Sequence, residues 1–76
     1  MKKKLINIAK SYDFNSESEF YDYLIDSHLN GNFTQCRRLF AEMKREDQKY
    51  FVTRYLEGEI QFSQRIQVRD FYLELL

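Results

Sequence analysis

His28 and Cys36 each occur once in the chain, and they are the side chains best suited to acid–base or nucleophilic chemistry near neutral pH. An imidazole can serve as general base or metal ligand, and a thiolate as nucleophile or metal ligand. The surroundings argue for neither use. One His and one Cys without a second ligand pair do not make a zinc signature, and a lone Cys forms no intrachain disulfide. His28 falls near the end of an expected helix, beside Leu24 and Leu29, which reads as a packed residue. The negative helix end there would favour its protonated form. Cys36 falls on the apolar side of the next helix and reads as a small buried hydrophobe. Arg37 and Arg38 would lower its pKa only if their side chains turned toward it. There is no Gly-rich phosphate loop and no nucleophile–base set. The chain reads as non-enzymatic, with no catalytic residue, cofactor or metal site expected.

Thr34, Gln35, Arg37 and Arg38 offer a second chemistry. They follow Asn30-Gly31-Asn32, the one strong turn signal in the middle of the sequence. In a helix-turn-helix they would start the recognition helix, and their types reach phosphates and base edges. Any two packed helices also need a short turn. The formal net charge is zero, and from Asp13 to Asp26 every formal charge is negative, including Glu17, Glu19, Asp22 and Asp26. That balance argues against a general nucleic-acid binder. From Arg37 to Arg54 basic residues outnumber acidic ones. The split would let the two central helices attract one another across the turn, or steer a partner with complementary patches.

The elements that must hold these residues read as helices. Gly31 suits the position just past a helix, because it takes φ > 0 at no steric cost. Asn32 is expected to cap the next helix with its side-chain oxygen, with Gln35 as the reciprocal half of a capping box. A helix therefore ends at Asn30, and a new one starts at Phe33. Upstream, Leu5, Ile8, Ala9 and Tyr12 follow one helix face, favoured over a short strand. Asp13 to Ser16 break that pattern, and Ser16 with Glu19 makes a second capping box. The helix it opens has a wide stripe of Phe20, Tyr21, Leu24, Ile25, His28 and Leu29. The third helix turns Phe33, Cys36, Leu39, Phe40 and Met43 to one side. After the polar junction Lys44–Asp47, a fourth carries Tyr50, Phe51, Val52, Tyr55 and Leu56, with Gly58 expected as its C-cap. From Glu59 onward, Ile60, Phe62, Ile66 and Val68 alternate in places like a strand. Phe62, Ile66, Arg69, Leu73 and Leu76 also fit a helix, and helix is favoured because a single strand would lack a partner.

Seventy-six residues make one domain. A chain so short buries only ~60% of its unfolded surface, so the core must be dense. Seven Phe and six Tyr answer that need, and no Pro interrupts helices. The expected fold is all-α, a bundle of four to five short helices. Met1-Lys2-Lys3-Lys4 resembles the start of a signal peptide, but the apolar run after it is too short, and no later segment is long enough to span a membrane. A cytoplasmic location is the default expectation. In the tail, Asp70 to Leu76 are apolar nearly all round as a helix, which leaves Phe71, Tyr72 or Leu75 over for an interface, such as a homodimer through the C-terminal helix.

Ser27 to Gly58, with Asn30-Gly31-Asn32, Arg38-Leu39-Phe40 and Phe51…Tyr55-Leu56, resembles short all-helical proteins encoded by bacteriophages and mobile elements. The resemblance implies an inhibitor of a bacterial defence system, of the anti-CRISPR kind, or a small regulator. It carries over no functional residue. The function expected is a protein-binding module that occludes a surface on a bacterial protein or nucleoprotein complex. Arg37, Arg38, Arg45 and Arg54, with Asp22 and Asp26, would set orientation and on-rate; Tyr23, Tyr50 and Tyr72 would be exposed anchors. The alternative is a helix-turn-helix transcriptional regulator. A third is an oligomerisation module built on the C-terminal helix.

Overall fold

The computed structural model describes residues 4–59 and 62–76, and its regular elements are all helical. They are α1 (Leu5–Ser11), α2 (Glu17–Leu29), α3 (Phe33–Ala41), α4 (Arg45–Tyr50), a π-helical stretch (Phe51–Tyr55), α5 (Leu56–Glu59) and α6 (Phe62–Leu75). The all-α bundle expected from the periodicity is the fold observed. Ile60, part of the alternation that suggested a strand, lies outside the described residues, as do Met1, Lys2 and Lys3. No helix among the described residues is long and apolar enough to cross a membrane.

Two helices stop in the same way. At the end of α2, Gly31 N–H donates to His28 O at 3.0 Å and Asn32 N–H to Ser27 O at 2.9 Å, with Gly31 at φ 76°. At the end of α1, Asp13 N–H donates to Lys10 O and Phe14 N–H to Ala9 O, both at 3.0 Å, with Asp13 at φ 65°. Each is a Schellman closure, which satisfies orphan carbonyls through one left-handed residue. Glycine fills that position in one case. In the other Asp does, one of the few side chains that tolerate it.

Helix starts follow expectation less closely. Ser16 Oγ accepts from Glu19 N–H at 3.3 Å, and the Glu19 carboxylate accepts from Asn15 N–H at 3.0 Å, one residue earlier than a reciprocal box would have it. Asn32 does not cap α3. Its side-chain amide donates to Gln35 Oε1 at 3.2 Å, and its own N–H is spent on the Schellman closure. Nor is Gly58 a C-cap. It lies within α5, and Gly31 is the glycine with positive φ among the described residues.

Sequence patterning does not reveal the π-helical stretch. Leu56 N–H reaches back five residues to Phe51 O. Thr53 Oγ1 donates to Lys49 O at 2.7 Å, a side-chain back-bond of the kind that bends helices. The widened turn keeps Phe51, Val52 and Leu56 buried.

Tyr72 of α6 lies in the middle of the core and is fully buried, with Phe40 at 5.0 Å and Phe51 at 5.2 Å between ring centres. Ile8, Phe20, Leu24, Cys36, Leu39, Met43 and Val68 complete that layer. Burying each such large apolar side chain contributes ~1.5–3 kcal/mol. The Cα radius of gyration is 11.3 Å. A compact chain of this length is expected near ~11.4 Å, so the short helices achieve full packing.

Candidate functional site

The residues expected to meet a partner separate into three groups. Asp26, Arg38 and Arg54 are exposed. Asp22, Arg45 and Arg37 are exposed but engaged within the molecule. Asp22 Oδ1 accepts from the Tyr55 hydroxyl at 2.8 Å, Arg45 Nη1 donates to Leu76 O at 3.3 Å, and the Arg37 guanidinium lies 5.6 Å from the Phe71 ring centre. The tyrosines differ from one another. Tyr50 is exposed, whereas Tyr23 is half-buried against Phe14 at 5.3 Å and Tyr12 at 6.1 Å.

Tyr72, expected as an exposed anchor, is fully buried. It is no surface anchor, because its ring fills the core and its hydroxyl donates to Leu24 O at 2.7 Å. Burial holds that hydroxyl far above its ordinary pKa. The aliphatic side chains that α6 leaves outward are instead Ile66 and Leu73, seven residues apart on one face.

Apolar and aromatic side chains stand exposed around the α2–α3 turn. Leu29 is 46% exposed and Phe33 is 42% exposed. His28, Phe33 and Phe71 form a triangle of rings, with centres 5.2 Å apart for His28–Phe33, 5.1 Å for His28–Phe71 and 5.3 Å for Phe33–Phe71. The Arg37 guanidinium lies over the Phe71 ring. This patch combines apolar area with a cation held on an aromatic face, a composition suited to an interface. The sequence pattern had put Phe33 on the core side of α3. As the first residue of α3, it stays at the rim, and Gly31 two residues earlier was the signal that could have shown this.

His28 is packed as expected, but its charge state is not. Burial lowers its pKa, and Nδ1 has no hydrogen-bond partner. Desolvation among three rings outweighs the negative end of α2. Cys36 is fully buried beside Tyr72, and burial raises its thiol pKa against a smaller lowering by the Tyr72 hydroxyl. The thiol is therefore protonated and enclosed.

No protein-family model, curated protein or solved structure matches this chain.

Gln35 bears on the helix-turn-helix alternative. It is half-buried, with Nε2 donating to Ser27 Oγ at 2.8 Å and Oε1 accepting from Asn32. Both ends of its amide are spent on the turn, which leaves Thr34, Arg37 and Arg38 as the exposed polar residues at the start of α3. No ion pair within 4 Å joins α2 to α3 among the described residues. The helices are held by packing and by the Ser27–Gln35 bond, not by their opposite charge.

Proposed function

We propose that the protein is a non-enzymatic binding module that occludes a surface on a bacterial protein or nucleoprotein complex, as a phage-type inhibitor in the host cytoplasm. The observation that carries this reading is the patch of Leu29, Phe33, His28, Phe71 and Arg37 at the α2–α3 turn. Aromatic and Arg side chains dominate binding energy at interfaces. The class of partner is what the resemblance read in the sequence of Ser27–Gly58 implies. The helix-turn-helix reading keeps one supporting observation, the exposure of Thr34, Arg37 and Arg38 in the early turns of α3.

The test is affinity capture from a bacterial host with mass spectrometry, followed by binding measurements on the recovered partner. Phe33→Ala is expected to weaken binding by ~2 kcal/mol or more, the threshold for a hot spot. Tyr72→Phe should leave affinity unchanged, since its hydroxyl faces Leu24 inside the bundle. Recovery of nucleic acid alone, with Phe33→Ala indistinguishable from the parent, would favour the regulator.

A further inference from the structure

At the other end of α2 its first turn faces the start of α4 across an open cleft of about 450 Å³. Glu17, Glu46 and Asp47 line it together with the rings of Tyr21, Tyr50 and Tyr55. Tyr21 stands 4.5 Å from Tyr55 and 6.0 Å from Tyr50 between ring centres. It is only 6% exposed, yet its hydroxyl has no hydrogen-bond partner among the described residues. Burial raises the pKa of that hydroxyl, with Asp47 and Glu17 adding to the effect, so it sits within electrostatic reach of both carboxylates. None of the three carboxylates is in an ion pair within 4 Å among the described residues.

These groups define what can fill the cleft. Carboxylates only accept hydrogen bonds, and the unpartnered hydroxyl can accept one as well. A ligand must therefore be rich in donors and positively charged. A metal ion does not fit, because no group of three acidic or other ligating side chains is close enough to hold one among the described residues. The tyrosine rings offer π faces, which attract an organic cation. A guanidinium matches both features, since it is planar, stacks on rings and presents five N–H donors to carboxylates. Lys4 and Lys44 border a neighbouring concavity that shares Glu17, Glu46 and Asp47. They stay outside the ring-lined part, and Lys44 only partly offsets the burial and the Glu46 charge that raise the Asp47 pKa.

We propose that this cleft is a receptor for one guanidinium group, held by Glu17, Glu46 and Asp47 and stacked on the tyrosines. It stands apart from the turn patch and does not depend on the occlusion reading. The group could belong to a free small molecule or to an arginine of a partner chain. To test it, ¹⁵N-labelled protein is titrated with N-acetyl-arginine methylamide, its neutral citrulline counterpart and the pentapeptide Gly-Gly-Arg-Gly-Gly. The arginine compound should give saturable amide shifts at Glu17, Ser18, Tyr21, Glu46 and Asp47. Citrulline should bind ~10-fold or more weakly, because it lacks the charge-assisted bonds. Glu17→Gln with Asp47→Asn should weaken arginine binding by a similar ~10-fold factor. Tyr21→Phe, which removes only the unpartnered hydroxyl, should weaken it without lowering the melting temperature, and it serves as the probe if the double variant fails to fold. A pentapeptide that binds tighter than the methylamide assigns the site to a partner's arginine, and equal affinity assigns it to a small molecule. Equal shifts from citrulline, shifts elsewhere, or binding indifferent to these variants would overturn the proposal, even with partner capture through Phe33 intact.

Discussion

His28 is packed against the rings of Phe33, Phe71 and Tyr72, and its buried Nδ1 has nothing to bond to. Protonating it would place a charge among apolar rings, with the Arg37 cation already over Phe71. The folded state thus favours the neutral imidazole, and its pKa lies below the ordinary value. As pH falls below ~6.5 the unfolded chain takes up this proton before the folded one does, so stability drops with acidification. The contribution is fully present above that pH and is lost as pH falls through the lowered folded value. Asp47 works in the opposite sense, because burial and then Glu46 raise its pKa, and its protonation in acid relieves a cost. Urea unfolding of the parent and of His28→Leu from pH ~7.5 to ~5 separates the two. The parent should lose stability on acidification relative to His28→Leu, whose profile keeps only the carboxylate contributions. A steeper loss in His28→Leu than in the parent would contradict the burial argument.

Between α2 and α3 one side-chain bond does what the opposite charges of those helices do not. Ser27 is buried, donates to Tyr23 O at 2.8 Å and accepts from Gln35 Nε2 at 2.8 Å. A double-mutant cycle of Ser27→Ala and Gln35→Ala, followed by thermal or urea unfolding, should give a coupling of ~0.5–1.5 kcal/mol, the range for a net hydrogen bond between neutral groups. Coupling near zero would mean that packing alone fixes the turn. The bond also shows where sequence reading succeeds and stops. The turn was legible because Gly31 takes the left-handed conformation past a helix end at no steric cost, and the faces of α1, α2 and α3 were legible because helix periodicity is strong over Leu5–Tyr12, Phe20–Leu29 and Cys36–Met43. Asp13 as a left-handed stop was not legible, since Asp is ordinarily a cap or a solvent residue. The π-helical stretch, with the Thr53 hydroxyl bonded back to Lys49 O, follows no spacing that the sequence displays. Tyr72 and Phe71 are adjacent in the tail Asp70–Leu76, which is apolar nearly all round as a helix, so only the docking angle of α6 could say which one enters the core. The acidic tyrosine cleft joins residues 17–21 to 46–55, and no local pattern links segments so far apart.

On the scale of the whole molecule, zero net charge conceals two surfaces of different sign. The start of α2 and of α4 is acidic around the tyrosine cleft, while Arg37 and Arg38 of α3 stand exposed, Arg37 at the aromatic patch and Arg38 within electrostatic reach of Tyr12. A duplex would engage only the second. Its affinity would then fall with salt by roughly 0.9 log units per log of salt for each phosphate neutralised. It would also rise when an acidic side chain is reversed, because repulsion from phosphates is removed. A protein partner complementary to both surfaces would respond in the other way, losing affinity when either sign is reversed. Asp26→Lys is the clean acidic probe, since Asp26 is exposed, whereas Asp22 also holds the Tyr55 hydroxyl and its replacement would disturb packing. Arg38→Glu is the matching basic probe, because Arg37 is engaged with Phe71. The expected outcome is no measurable duplex binding at physiological salt, with capture of the protein partner weakened by both reversals. Specific duplex binding that Asp26→Lys tightens and Arg38→Glu abolishes would transfer the function to the helix-turn-helix regulator.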